Sequence, residues 1–69
     1  MDGAKLLHMA EQIARNLVVL GEEEAAAQTT DHIIKFWDPR MKAQILEEDR
    51  ATMSPVVLKA VEQLAATLD

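Results

Sequence analysis

The chain has 69 residues, which places it near the lower size limit for a domain that folds alone. It has no Cys and only two His, so disulfides and the ligand sets of zinc fingers and iron–sulfur clusters are excluded. Twelve acidic residues against seven basic ones give a net charge of −5, which disfavours binding to nucleic acid or anionic lipid. We therefore expect a partner subunit to supplement so small a core.

The first half of the chain predicts two helices joined at a glycine. The first covers about residues 4–20 and carries an apolar stripe with helical spacing. Gly21 is predicted to stop it in the left-handed αL conformation. The second covers about residues 23–37, and the run Glu22-Glu23-Glu24 at its start suits the positive end of a helix dipole.

Two short polar residues, each directly before a Pro, predict where the third and fourth helices begin. Asp38 and Ser54 are predicted to cap helices at about residues 39–48 and 55–67, each with Pro in the first helical position. The connector 47–53 is polar, and its acids follow a helix C-terminus, where the dipole disfavours negative charge. They are expected to face a basic partner or water.

The sequence as a whole predicts one all-α domain over residues 1–69, a small compact bundle of four short helices. No apolar run is long enough for a signal peptide or a membrane span, so we expect a cytoplasmic protein without membrane contact. The predicted core consists of the apolar residues at helical spacing, namely Leu6 or Leu7, Ile13, Leu17, Ile33, Phe36, Ile45, Val57, Val61 and Leu64.

No catalytic, metal-binding or cofactor-binding residue is predicted. Ser54 is the only Ser, and we interpret it as a helix cap rather than a nucleophile. An acyl carrier would bear its prosthetic group on a Ser within Asp-Ser-Leu, whereas Ser54 follows Met53 and precedes Pro55. His8 and His32 are not a pair at helical spacing, and each is expected to face solvent or to make one hydrogen bond.

Residues 32–42 hold both aromatic residues and three of the seven basic ones. Because Phe36 and Trp37 are adjacent, one ring is expected to serve the core while the other points elsewhere. Trp and Arg are the residues that most often dominate interface energy, so an exposed Trp37 beside Arg40 would form a docking site. The alternative, that Trp37 is the main core aromatic, stays open. The predicted partner-binding residues are His32, Trp37, Arg40, Met41 and Lys42.

Three stretches of the chain resemble the small delta subunit of NAD-dependent, molybdenum-containing formate dehydrogenase. The most specific string is Phe-Trp-Asp-Pro-Arg-Met at 36–41, which is similar to the family's Phe-Trp-(Asp/Glu)-Pro-Arg-Met. The chain departs from the family at 47–53, where a Gly-rich stretch is common, and at 17–18, where aromatic residues are common. The three stretches are 6–14, 32–41 and 54–62.

The resemblance implies a non-catalytic accessory subunit of a cytoplasmic complex that passes electrons from formate to NAD. The larger subunits would carry the molybdenum cofactor, iron–sulfur clusters and FMN and would bind NAD, whereas this chain would bind no cofactor. It would dock on those subunits, with the catalytic one favoured, to stabilise or assemble the enzyme. Self-association of the isolated chain stays open.

Two other functions remain as alternatives. One is a transient maturation factor that assists insertion of the molybdenum cofactor and prefers the cofactor-free catalytic subunit. The other, more remote, is a helix-turn-helix regulator, supported by four short helices and by Arg40 and Lys42 near the start of the third. The acidic charge balance opposes it.

Overall fold

The computed structural model describes residues 2–68 and consists of four α-helices and two single 3-10 turns. No strand occurs within these residues, so the predicted all-α class is confirmed. The 3-10 turns, Val18–Leu20 and Arg50–Thr52, lie in the connections before α2 and before α4. The helices are α1 (Gly3–Leu17), α2 (Glu22–Phe36), α3 (Pro39–Glu47) and α4 (Pro55–Leu68).

Short polar side chains bond to the first turns of α3 and α4. Asp38 Oδ1 accepts a hydrogen bond from the backbone N–H of Met41 at 3.0 Å. Ser54 Oγ accepts one from the N–H of Val57 at 3.3 Å. The first N–H groups of a helix have no partner within the helix, and these two side chains supply one. Because each side chain stands directly before Pro, the boundaries of α3 and α4 follow from local chemistry.

Gly21 joins α1 to α2 in a conformation that the sequence did not predict. The αL prediction is wrong, because Gly21 has φ +96° with an extended ψ of 154°. The α-helix also ends earlier, at Leu17, and the chain continues as the 3-10 turn. The Gly21 N–H donates to Val18 O at 3.0 Å, and Gly21 O accepts from the N–H of Ala25 at 2.8 Å. This combination of φ and ψ is essentially restricted to glycine.

Helices α2 and α4 pack against each other, and both carry small residues that are fully buried. Ala25, Ala26 and Ala60 have no exposed surface. The Thr30 hydroxyl lies 2.9 Å from Ala26 O and 3.2 Å from Ala60 O, and it is also 2.9 Å from Gln63 Oε1. A buried hydroxyl reaches a carbonyl oxygen of the neighbouring helix only where the two backbones lie close together, so the Thr30 contact marks a point of close approach between α2 and α4.

The core prediction is largely confirmed and fails at one position. Ile13 and Leu17 are half-buried and pack against the core, as does Leu7. Phe36 was predicted to be buried, and this is wrong, because it is 71% exposed. Met53, in the connector, is a core residue that periodicity missed. The correctly predicted buried residues are Leu6, Ile33, Ile45, Val57, Val61 and Leu64.

Acidic side chains of the connector 47–53 contact other groups of the same chain. The Glu48 carboxylate lies against Gly3 in the first turn of α1, where a Cβ would overlap it. It also accepts a hydrogen bond from Gln44 Nε2 at 2.8 Å. The positive end of the α1 dipole favours a carboxylate there. Asp49 Oδ1 accepts from the N–H of Ala51 at 2.9 Å and begins the second 3-10 turn.

Two polar contacts join α4 to the first two helices. Glu11 Oε2 of α1 accepts a hydrogen bond from the Ser54 N–H at 2.9 Å. Lys59 of α4 lies 2.8 Å from Glu22 Oε2 and also contacts the Glu23 carboxylate. Hydrogen bonds to Glu22 and then Glu23 raise the pKa of Lys59 above its ordinary value. The stabilisation from this raised pKa is therefore complete at neutral pH and is lost only as the pH rises through the raised value.

Replacing Gly21 by Ala is expected to destabilise the fold by about 1–3 kcal/mol, since an L-residue is strained at this φ and ψ. Nothing lies within 4 Å of a Cβ at this position, so the cost comes from the backbone rather than from a clash. Thermal unfolding followed by circular dichroism measures the change. D-alanine in place of Gly21, in a synthetic chain, is the control and should retain stability. Equal destabilisation by both enantiomers would contradict the backbone explanation.

Ile33 and Ile34 offer a matched pair, because they are adjacent in α2 and are 0% and 36% exposed. Ile33→Ala is expected to cost about 2–5 kcal/mol through lost burial and a residual cavity. That loss rivals the total stability of so small a chain, so the cooperative thermal transition should disappear. Ile34→Ala should change stability by less than about 1 kcal/mol. Similar melting curves for the two variants would refute the orientation of α2.

Candidate functional site

The structure distributes the five predicted partner-binding residues between surface and core. His32, on α2, and Arg40, in the first turn of α3, are exposed. Met41 and Lys42 are half-buried, and Trp37 is buried. Two of the five predicted residues are therefore exposed, and the cavity-lining pair His32 and Trp37 is the one that the fold brings together.

Trp37 belongs to the core, which corrects its prediction as an exposed anchor. Its side chain is 5% exposed. Its backbone is extended, with ψ 139°, and its N–H donates to Ile33 O at 3.0 Å. The chain leaves helical geometry at Trp37, and the larger of the two neighbouring rings is buried. The sequence left open whether Trp37 is an exposed anchor or a core residue, and the structure shows that it is a core residue.

Phe36 is the accessible aromatic residue of this corner. Its ring centroid lies 4.8 Å from that of His32, with the two planes tilted by 42°. The two residues are four positions apart on α2, which places them on the same side of the helix. The sequence indicated that one of the adjacent aromatic residues would point away from the core. The predicted core named Phe36, whereas the structure buries Trp37 and leaves Phe36 exposed.

A shallow cavity of about 290 Å³ separates α1 from the end of α2 beside this ring pair. The fold brings His8 and His32 to this one cavity, although neither sequence spacing nor periodicity relates them. His8 Nε2 lies 3.2 Å from Gln12 Nε2, as in a single hydrogen bond. Met9, at 39% exposure, adds a flexible apolar side chain to the rim. The lining residues are His8, Met9, Gln12, Ile13, His32 and Trp37.

We call Met9, His32 and Phe36 the aromatic surface. Met9 and His32 line one cavity and His32 contacts Phe36, so the three side chains form one continuous surface. A large ring, an imidazole and a thioether are side chains suited to protein contact. Across residues 2–68, no group of three or more His, Cys, Asp or Glu side chains is arranged to hold a metal ion.

The charges near the aromatic surface are mostly engaged with neighbours. Lys35 Nζ lies 2.9 Å from Asp31 Oδ2 in an exposed ion pair one helical turn apart. Lys42 Nζ donates to Ile34 O at 3.0 Å. Arg40 makes no ion pair with any part of the chain that the structure describes. The residue is also exposed.

The profile of the NADH-dependent formate dehydrogenase delta subunit family, FdsD, matches residues 5–61 of the chain. No curated protein and no solved structure gives a match. The described helices include none that is long and apolar enough to cross a membrane. The matched residues include the whole aromatic surface and Arg40, together with the beginning of α4. The chain therefore belongs to the delta subunit family of NADH-dependent formate dehydrogenase, as its resemblance to that family predicted.

Proposed function

We propose that this chain is a non-catalytic accessory subunit that docks on the larger subunits of formate dehydrogenase and stabilises or assembles the complex. The observation that carries this proposal is the exposure of Phe36 in a chain of the delta subunit family. Membership of the family implies association with the formate dehydrogenase complex. The catalytic subunit is the proposed partner of the aromatic surface.

The exposed Phe36 ring favours docking on energetic grounds. Burying a phenylalanine side chain contributes about 1.5–3 kcal/mol. The His32 ring lies beside it, with the two centroids 4.8 Å apart, so both rings would contribute contact area to a partner. Met9 adds a polarizable side chain that adapts to the shape of an opposing surface.

Arg40 is proposed to bind a carboxylate on the partner. Arginine presents a planar set of donors that matches a carboxylate with two hydrogen bonds, and it is frequent at interface centres. Trp37, Met41 and Lys42, the predicted residues that are neither Arg40 nor part of the aromatic surface, take a positioning role in this proposal. Trp37 fixes the turn that carries Phe36, and Lys42 ties α3 to the end of α2 through Ile34 O. Met41 packs against the core below Arg40.

The small size of the chain supports mutual stabilisation between the subunits. A domain of this length buries only ~60% of the surface that its unfolded chain exposes. Any partner that binds the folded form alone stabilises it by mass action. We propose that docking stabilises the delta subunit and, through the same interface, the subunit that it covers.

The cofactors of the complex are proposed to lie in the larger subunits. These are the molybdenum cofactor, iron–sulfur clusters and FMN, together with the NAD that accepts the electrons. Protein ligands of iron–sulfur clusters are chiefly Cys thiolates, and this chain has no Cys. The proposed contribution of the chain is therefore contact area rather than redox chemistry.

Phe36→Ala is expected to weaken binding to the complex about thirtyfold, as for a residue at an interface centre that loses about 2 kcal/mol. The measurement is titration of the purified chain into complex prepared without it. Phe36→Leu, which keeps most of the apolar side chain, should bind with intermediate affinity. Thr67→Ala, an exposed change on α4, is the control and should bind like the wild type. Wild-type affinity of folded Phe36→Ala would contradict docking through the aromatic surface.

Arg40→Ala is expected to lower affinity by at least about tenfold, whereas Arg40→Lys should recover only part of the loss, because an ammonium cannot make the paired hydrogen bonds. The same titration is run against cofactor-loaded enzyme and against cofactor-free catalytic subunit. Retention on the loaded enzyme supports a permanent subunit. Binding to the cofactor-free subunit alone would overturn that proposal in favour of a maturation factor.

A further inference from the structure

The 3-10 turn between α1 and α2 carries three consecutive exposed aliphatic residues. Val18, Val19 and Leu20 are 58%, 86% and 50% exposed. Single exposed aliphatic side chains are ordinary on protein surfaces, but adjacent ones form a patch of the kind that marks contact sites. The aromatic surface does not include them, and the core does not use them.

The backbone holds this turn in a defined shape. The Gly21 N–H closes the turn on Val18 O, and Gly21 O accepts from Ala25 in the first turn of α2. The three side chains therefore project from a fixed turn between two helices rather than from a flexible loop. A preorganised apolar protrusion loses less entropy on binding than a mobile one.

An apolar groove of about 360 Å³ continues the patch on one side. It lies between the end of α1 and the start of α4, and Val18 belongs to both the turn and the groove. Ala14, Pro55 and Val56 supply its remaining apolar lining. We call the turn and this groove together the aliphatic surface.

Carboxylates outnumber cations around the aliphatic surface. Glu11 and Glu22 line the groove with Arg15, and Glu23 and Glu24 follow in the first turn of α2. Lys59 is the nearby cation of α4, and Glu22 and Glu23 share it. Glu24 lies outside that cluster and accepts a hydrogen bond from Gln28 Nε2 at 3.1 Å. A complementary surface would therefore be apolar with basic side chains at its rim.

The aliphatic and aromatic surfaces lie at opposite ends of α2. The helix runs from Glu22 to Phe36, which corresponds to about 21 Å at about 1.5 Å per residue. One end is aliphatic and acidic, and the other is aromatic with the exposed cation Arg40. The two ends therefore suit different partner surfaces.

We propose that the aliphatic surface is a second docking site, which inserts Val19 and Leu20 into an apolar pocket with a basic rim on a formate dehydrogenase subunit. This inference rests on the proposed function, because the occupant is part of the same complex. The aromatic and aliphatic surfaces then bind simultaneously, and their opposite charge character allows only one orientation of the chain. Two linked contacts strengthen each other through effective concentration.

The first test replaces Val19, the most exposed of the three residues, in the titration described above. Val19→Ser should leave the helical content unchanged and weaken binding about tenfold, because the buried aliphatic contact is lost. Asn16→Ser, an exposed polar change near the end of α1, is the control and should leave the affinity unchanged. Glu24→Lys should weaken binding more than Glu24→Gln, and the difference should shrink at high salt. Wild-type affinity of folded Val19→Ser would overturn the second docking site.

The second test identifies the occupant by photo-crosslinking within the assembled complex, with benzoyl-phenylalanine placed at position 19 or at position 36. The inference expects position 19 to crosslink to a larger formate dehydrogenase subunit. A crosslink at position 19 to a second copy of this chain, or no crosslink, would overturn it. Position 36 reports on the proposed function separately, so loss of crosslinking there with retention at position 19 would refute the aromatic surface alone.

Discussion

The close approach of α2 and α4 is the constraint on which the rest of the structure depends. Ala25, Ala26 and Ala60 leave room for the Thr30 hydroxyl to reach a carbonyl oxygen of the opposite helix. A larger side chain at a fully buried alanine of this interface would separate the helices and remove the Thr30 contacts with α4, leaving the hydroxyl bonded only to Ala26 O of its own helix. Since α1 also packs on α2, the position of α2 determines which surfaces remain uncovered. The two proposed docking surfaces lie at the two ends of α2.

The contrast between Phe36 and Trp37 shows how a core position and a surface position can be adjacent in sequence. The extended backbone at Trp37 ends α2 and starts the turn into α3. A single aromatic ring is buried at this corner, while the other is supported by His32 at the surface. The motif Phe-Trp-Asp-Pro-Arg-Met at 36–41 therefore contains residues with two different physical roles. Trp37 belongs to folding, and Phe36 is free for the contacts that we propose.

Sequence reasoning succeeded where structure depends on local chemistry. The starts of α3 and α4 follow from a short polar residue before Pro, and the bonds of Asp38 and Ser54 to helical N–H groups have that geometry. Sequence reasoning failed where contacts between distant segments determine which side chains are buried. The core prediction named Phe36 where the structure buries Trp37, and periodicity could not place the Glu48 carboxylate against Gly3, because that contact joins distant segments. For the same reason, the sequence did not predict that His8 and His32 line one cavity.

The burial of Trp37 also gives the protein an internal spectroscopic reporter. It is the only Trp in a chain without Tyr, so fluorescence excited at the red edge of the indole band arises from one core position. Unfolding transfers that indole to water and shifts its emission to longer wavelength. Changes confined to the exposed Phe36 or Val19 side chains leave the indole in the core. Its emission in the isolated chain therefore shows whether a variant that fails to dock is still folded.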